Sequence, residues 1–143
     1  MIFADTSFLI SLYGQDVNTP VAKVRASAHA GPIYVSSVNE YEFANALRLL
    51  VFRQKITTAS RQAQILAYEA DKKAGKIVFC QSNTNDVFTK AESLSLRHTE
   101  TLGNRAYDIL QVAAAKLLGV TDFWSFDGKQ RQLAAAEGMN VGP

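Results

Sequence analysis

Short apolar runs alternate with longer amphipathic stretches along the whole chain. The apolar runs are rich in β-branched and aromatic side chains, which is typical of buried strands. They predict strands at residues 2–4, 33–35, 77–79 and 122–126, with residues 139–141 as a candidate edge strand.

The amphipathic stretches between these runs predict helices, because apolar side chains recur in them every three or four residues. Glycine or proline marks several of their ends. The predicted helices cover residues 6–12, 21–30, 38–53, 57 or 58 to 74, 85–96, 107–118 and 129–137, and residues 97–105 are predicted as a loop.

The same periodicity predicts which helical side chains face the core. For the helices that begin near residues 57, 85 and 107, the predicted inward faces are Ala59, Ala63, Leu66 and Ala70; Phe88, Ala91 and Leu94; and Leu110, Ala113, Ala114 and Leu117.

Strands that alternate with helices predict an α/β protein built from βαβ units. We expect a mainly parallel sheet of four to five strands covered by helices on both faces, a three-layer α/β/α fold. The chain has 143 residues, a length that favours one domain over residues 1–143. Ligands of such sheets bind beyond the carboxyl ends of the strands, so polar residues at that edge are the candidates for function.

Amino-acid composition excludes fewer classes of function than the pattern of apolar and polar positions does. The net charge of +2 is smaller than the basic excess that often marks a nucleic-acid-binding protein. The single cysteine, Cys80, excludes an internal disulfide and any zinc site made of several cysteines. The apolar N-terminus contains Asp5 and lacks a basic segment, and no apolar run is long enough to cross a bilayer. We therefore expect a soluble, intracellular, cytoplasmic protein with no membrane association.

Four acidic residues that are distant in sequence are predicted to meet at the carboxyl edge of the sheet. Asp5 and Asp127 directly follow predicted strands, and Glu42 lies about one turn into the helix after the second strand. Asp108 is in the first turn of the helix that leads to the last main strand. Carboxylates this close repel one another unless a cation lies among them, and Mg²⁺ or Mn²⁺ prefers such oxygen ligands. We therefore predict that all four acids are metal ligands and catalytic residues.

Each of these acids also has a simpler structural interpretation. Asp5 and Asp127 are suitable helix N-caps, and Asp108 in a first turn stabilises the helix dipole. Glu40 competes with Glu42, since two residues apart on a helix means a rotation of about 200° and only one of them faces the cleft. We prefer Glu42 and expect Glu40 to be solvated.

Supporting roles are predicted for several neighbours of the acids. Side chains expected to hydrogen-bond the metal ligands or to face the same cleft are Thr6, Ser7, Asn45 and Ser125. Arg105, and with it Arg97, is a candidate contact for the phosphates of a nucleic acid. Capping and solvation are the competing interpretations of these residues. Trp124, in an apolar strand, is predicted to belong to the core rather than to stack on a base.

The chain resembles the PIN-domain family over nearly its whole length. The family's four acidic motifs, in the right order, resemble residues 3–7, 35–47, 103–115 and 124–127, and residues 134–141 resemble the closing helix and strand. In two places the sequence departs from the common pattern. Gln111 stands where many relatives have histidine, and Ser125 stands where threonine is common.

Within this family the sequence looks most like the VapC-like toxins of type II toxin–antitoxin pairs. That resemblance implies an endoribonuclease that hydrolyses RNA phosphodiester bonds with Mg²⁺ or Mn²⁺. It also implies a homodimer and a cognate antitoxin protein as partner.

Other classes fit the sequence less well. A phosphatase with an aspartate nucleophile needs a second acid where Ser7 stands, and a receiver domain needs an aspartate after the third strand, where Cys80 stands. No nucleophile elbow and no glycine-rich dinucleotide turn is present. A catalytically silent module that binds RNA or protein through the same fold is the alternative that stays open.

Overall fold

The computed structural model describes residues 1–143 as five short strands and seven helices. The strands are β1 (Ile2–Ala4), β2 (Ile33–Val35), β3 (Ile77–Phe79), β4 (Asp122–Trp124) and β5 (Asn140–Gly142). The helices are α1 (Thr6–Tyr13), α2 (Thr19–Ala28), α3 (Ser37–Phe52), α4 (Thr58–Lys73), α5 (Thr84–Leu102), α6 (Ala106–Leu117) and α7 (Gly128–Ala136).

The five strands form one sheet in the order β3-β2-β1-β4-β5, and every neighbouring pair is parallel. The central strand β1 pairs with β2 on one side and β4 on the other, with Ile2 opposite both Ile33 and Asp122. The predicted parallel α/β sheet is confirmed, including its candidate edge strand. Because all strands run the same way, their carboxyl ends share one edge.

Two apolar cores lie on opposite faces of the sheet and give the molecule three layers. One core packs α5, α6 and α7 against Phe3 and Phe123, whose rings stack with centroids 5.7 Å apart. The other contains residues of α1 to α4 with Ala4, Val35 and Trp124. Side chains of neighbouring strand residues point to opposite faces, so Phe3 and Ala4 belong to different cores. Trp124 is 5% exposed and belongs to the core, as predicted.

The predicted inward face of α4 is wrong. Its buried residues are Gln64 and Tyr68, whereas Leu66 is 70% exposed and the three alanines of the predicted face are also exposed. Tyr68 packs on Tyr13 and Phe43 at centroid distances of 5.5 and 5.1 Å. A tyrosine ring buries far more apolar area than an alanine methyl, so the helix turns its Gln64–Tyr68 side inward.

Helix α5 is longer than predicted and replaces the expected loop over residues 97–102. Its last turns are polar in sequence and carry no apolar period, but Arg97 and His98 both contact the Glu137 carboxylate at 2.9 and 2.8 Å. The helix ends at Gly103, whose φ of 64° is left-handed. Phe88 is 58% exposed instead of buried, and Val87 takes its place in the core.

Two smaller corrections concern α6 and β4. Leu117 is 44% exposed, and Leu110 is only partly buried. The last main strand ends at Trp124 because the chain then bends, with the Asp127 amide donating to the Ser125 hydroxyl oxygen at 2.9 Å. None of the helices is both long and apolar enough to span a membrane.

Candidate active site

Asp5 lies at the carboxyl end of the central strand, and its side chain is almost completely buried, at 1% exposure. It caps α1 by accepting the Phe8 amide at 2.8 Å. The Ser7 and Ser125 hydroxyls donate to the same carboxylate at 2.8 and 2.7 Å. Burial raises the pKa of Asp5 to about 7, even though these hydrogen bonds favour the charged form. Capping of α1 therefore does not exclude Asp5 from the candidate site.

The two serines fix the orientation of Asp5 because their own oxygens are held by backbone amides. Ser7 Oγ accepts the Phe126 amide at 2.8 Å, and Ser125 Oγ accepts the Asp127 amide at 2.9 Å. Each hydroxyl has only one hydrogen, which is thereby directed at the carboxylate. The first turn of α1 and the loop after β4 are therefore joined around one buried acid.

Glu42 reaches the same edge from α3. Its carboxylate accepts the Thr6 hydroxyl at 2.8 Å and also accepts the Gln111 side-chain amide. Burial is the main reason that the pKa of Glu42 is raised, and the negative charges of Asp108 and Asp127 raise it further. Acids from three separate segments therefore influence one another electrostatically across the cleft.

Glu40, the competitor of Glu42, faces another part of the molecule. Its carboxylate pairs with Lys72 and accepts the Tyr68 hydroxyl at 3.0 Å. This ion pair joins α3 to the end of α4. The preference for Glu42 as the cleft residue agrees with this geometry, although Glu40 is ion-paired rather than solvated.

Asp108 and Asp127 also serve helix ends. One oxygen of Asp108 accepts the Arg105 amide at 3.0 Å, and the other accepts the Gln130 side-chain amide at 3.0 Å. Asp127 Oδ1 accepts the amides of Lys129 and Gln130 at 2.8 and 3.0 Å. These bonds join the first turns of α6 and α7, so both acids stay at the carboxyl edge of the sheet.

A buried amide network supports the site, and sequence reasoning did not find it. Gln111 is completely buried; its carbonyl accepts the Thr6 amide at 3.1 Å and the Asn39 side chain at 2.8 Å. Its own amide donates to Glu42 and to the Thr6 hydroxyl. Asn39 in turn donates to the Ala4 carbonyl at 2.9 Å. The available signal was a polar residue at an inward position of an apolar helix, where an unpartnered amide is costly.

The donor set fits a hard divalent cation. The side chains are oxygen donors, and none of the four acids forms a salt bridge with a lysine, arginine or histidine. Gln130 Oε1, on the residue that binds Asp108, and Asn104 Oδ1 are buried acceptors without a donor, the kind of atom that receives a hydrogen from water on a hydrated ion. No three carboxylate, histidine or cysteine side chains come close enough to form a coordination sphere by themselves. Mg²⁺ commonly takes one or two carboxylates and keeps several waters, which agrees with this spacing.

The remaining predicted residues are not all brought to the cleft. Asn45 is exposed, and its side chain makes no hydrogen bond in the protein. Arg105 is exposed at the start of α6, beside the acids. Arg97 pairs with Glu137, at the end of α7 opposite to Asp127, so the structure keeps it away from the carboxylate edge.

Comparisons with known proteins agree with this architecture. The profile of the PIN-domain family matches residues 2–136. Among solved structures, VapC20 of Mycobacterium tuberculosis, described as a toxin that cleaves the sarcin–ricin loop, superposes with a TM-score of 0.73 at 22% identity, over 100% of both chains. FitAcB of Neisseria gonorrhoeae has a TM-score of 0.64 at 17% identity, over 100% of this chain and 97% of its own.

PAE2754 of Pyrobaculum aerophilum has a TM-score of 0.62 at 13% identity, over 99% of this chain and 82% of its own. At these identities the likeness concerns the fold. Among curated proteins, none matches the sequence significantly. The family profile covers nearly the whole sequence, and its span includes all four acids of the cleft. The chain belongs to the PIN-domain family.

Proposed function

We propose that this protein is a divalent-metal-dependent endoribonuclease and the toxin of a toxin–antitoxin pair. The observation that carries the proposal is the buried, hydroxyl-bound Asp5 at a sheet edge where Glu42, Asp108 and Asp127 gather without a positive partner. Membership of the PIN-domain family and the resemblance in fold to a toxin that cleaves RNA support it.

The residues divide the work by position. Asp5 and Asp108, with Glu42 and Asp127 beside them, would hold Mg²⁺ or Mn²⁺ directly or through water. When bound, the ion supplies positive charge to a scissile phosphate and activates water for its hydrolysis. Ser7, Ser125 and Thr6 orient the carboxylates through their hydroxyls. Arg105, exposed at the same edge, would contact a phosphate of the RNA.

The test is cleavage of a mixed pool of structured RNAs by purified protein with Mg²⁺, with Mn²⁺ and with a chelator. Cleavage is expected with metal and to be lost with Asp5→Asn, Asp108→Asn and Glu42→Gln. Glu40→Gln is the matched control for α3, because Glu40 lies two residues from Glu42 and outside the cleft. Activity that survives the first three substitutions would place the chemistry elsewhere.

A silent RNA- or protein-binding module is the second candidate. The observation in its favour is that no three potential ligands converge tightly. Calorimetric titration with Mn²⁺ separates the two functions. A nuclease binds the ion and loses binding in Asp5→Asn, whereas a silent module shows neither metal binding nor cleavage.

The partners follow from the same proposal. An antitoxin would cover the cleft in the cell, and the protein would meet its RNA in the cytoplasm. A homodimer is part of the proposal, and Leu66, which is 70% exposed on α4, is a candidate contact for it. Light scattering after size-exclusion chromatography measures the oligomer, and a monomer at micromolar concentration would contradict this part of the proposal.

A further inference from the structure

Two exposed tyrosines stack on each other across the α3–α6 boundary. The rings of Tyr41 and Tyr107 have centroids 6.2 Å apart and planes 24° apart. They are 60% and 43% exposed, so ring surface stays open to solvent. Neither hydroxyl makes a hydrogen bond in the protein. The partly buried Tyr13 and the buried Tyr68 differ, since both donate to a carboxylate.

The pair lies beside the candidate active site. Tyr41 directly precedes Glu42 on α3, and Tyr107 directly precedes Asp108 on α6. The two helices are also joined below the rings by the bond from Gln111 to Glu42, one helical turn further along α6. The pair therefore belongs to the rim of the carboxylate cleft.

Holding the two helices together does not require this pair. The buried bonds of Gln111 to Asn39 and Glu42 already fix α3 against α6. Rings that stay in water leave apolar surface unburied, and a paired, unburied apolar surface beside a functional site is a feature of binding sites. Stacked, open tyrosine faces are suited to a flat partner with its own π-system.

We propose that Tyr41 and Tyr107 form a stacking platform for an unpaired nucleobase next to the scissile phosphate. The inference rests on the proposed nuclease function and assigns to it a base-binding subsite made by these two side chains. A paired base has no free face to offer, whereas an unstacked base can lie on an aromatic side chain. Arg105, two residues before Tyr107, is exposed and without an acidic partner, so the strand carrying that base meets a positive charge beside the platform.

The experiment measures binding without cleavage. Full-length Asp5→Asn protein is titrated with short single-stranded RNAs in which one base at a time is replaced by fluorescent 2-aminopurine, and with matched RNAs abasic at that position. Stacking on the platform is expected to quench the fluorescence. Tyr41→Leu with Tyr107→Leu should abolish the quenching and weaken binding about tenfold or more, the loss that removing base–aromatic stacking produces. Phenylalanine at both positions should preserve it.

The matched control is Phe52→Leu, an exposed aromatic on the same helix. It lies eleven residues from Tyr41, roughly 16 Å along the axis at about 1.5 Å per residue. Thermal melting checks that every variant is folded. Leucine variants that bind and quench like the parent, or an abasic RNA that binds as tightly as the parent RNA, would overturn the platform.

The two proposals fail in different ways. If the wild-type protein cleaves RNA and kcat/KM is unchanged in the leucine variants, the nuclease proposal stands and the platform proposal is wrong. If the protein never cleaves RNA but still quenches 2-aminopurine through the tyrosines, the platform proposal stands and the nuclease proposal is wrong. Protein that neither cleaves nor binds RNA overturns both.

Discussion

At the scale of the residue, the most unusual group is a carboxylate buried at the end of the central strand. Asp5 is 1% exposed and accepts bonds from two hydroxyls and an amide. These bonds do not fully offset the loss of hydration, so the charged form is disfavoured in the metal-free protein. A cation beside it would remove that penalty, which is why the buried acid indicates a binding function.

The titration of Asp5 should be visible in stability. Its pKa is about 7 in the folded protein against an ordinary value of 3.8, so the folded state binds more protons between these values. In chelator, the free energy of unfolding should therefore fall as pH rises from about 4 to about 7, by at most about 4 kcal/mol from this group. Urea denaturation of wild type and Asp5→Asn at several pH values measures it. Equal pH slopes for the two proteins would contradict the assignment.

Gln111 is the second residue whose environment predicts a large effect. Replacing it by leucine removes its bonds to Thr6, Asn39 and Glu42 and leaves the buried Thr6 amide without an acceptor. We expect a loss of about 1–3 kcal/mol in stability and a fall in activity, because Glu42 loses a donor that orients it. Chemical denaturation and cleavage rates provide the measurements, with the exposed Gln132→Leu as control. A fully stable and fully active Gln111→Leu protein would show that the network is dispensable.

At the scale of the element, the first turns of α6 and α7 form one unit. Asp127 is the N-cap of α7, and Asp108 lies in the first turn of α6. The Gln130 side chain of α7 donates a hydrogen bond to the Asp108 carboxylate. The local interpretations of the two acids, a cap for Asp127 and a first-turn acid for Asp108, therefore agree with the structure. They do not exclude the cleft, because a carboxylate has two oxygens and several lone pairs to share.

Gln130 is a positioning residue by this argument. Gln130→Leu keeps the volume, removes the bond to Asp108 and also removes the unpartnered Oε1, so stability should change by less than about 1 kcal/mol. The affinity for Mn²⁺ should fall about tenfold or more, as for other residues that orient metal ligands. Calorimetry with Mn²⁺ and thermal melting separate the two effects. Unchanged affinity for Mn²⁺ would mean that Gln130 contributes to packing and does not position Asp108 for metal binding.

The helices also show where periodicity misleads. In α4 the alanines 59, 63 and 70 share a face with Leu66, yet the ring of Tyr68 decides which side is buried. In α5 the polar residues 97–101 have no apolar period, but contacts of Arg97 and His98 with Glu137 hold this part of the chain in a helix. Both outcomes depend on partners from distant segments, which a local pattern does not contain.

At the scale of the whole molecule, the parallel sheet brings acids from positions 5, 42, 108 and 127 to one edge. Their mutual repulsion lowers the stability of the metal-free protein. It is seen at Glu42, whose pKa is raised by the charges of Asp108 and Asp127 as well as by burial. A bound cation would turn this cost into stabilisation, because ligands that bind only the folded state raise its stability.

Metal should therefore raise the melting temperature. At a concentration one hundred times its Kd, Mg²⁺ or Mn²⁺ adds about 2.7 kcal/mol to the free energy of unfolding. Differential scanning calorimetry of wild type should show the shift, and Asp5→Asn should show a smaller one or none. Glu40→Gln serves as control because its carboxylate is paired elsewhere. An equal shift in all three proteins would mean that the metal binds outside the cleft.

The sequence by itself determined the features that depend on near neighbours along the chain. The strands, the order of elements and the place of Asp5 and Asp127 directly after strands follow from local patterns, and parallel topology then sends Glu42 and Asp108 to the same edge. Capping by Asp5 is local in the same sense, since it spans three residues.

Only the tertiary structure decided the contacts between distant segments. The bonds of Gln111 to Thr6 and Asn39 span 105 and 72 residues, and the stacking of Tyr41 on Tyr107 joins two helices far apart in the chain. The burial of Tyr68 and the separation of Arg97 from the cleft belong to the same group. A local pattern states how much apolar and polar surface each segment carries. Which surfaces meet is settled when all segments compete for the same core, because buried polar atoms must find partners there.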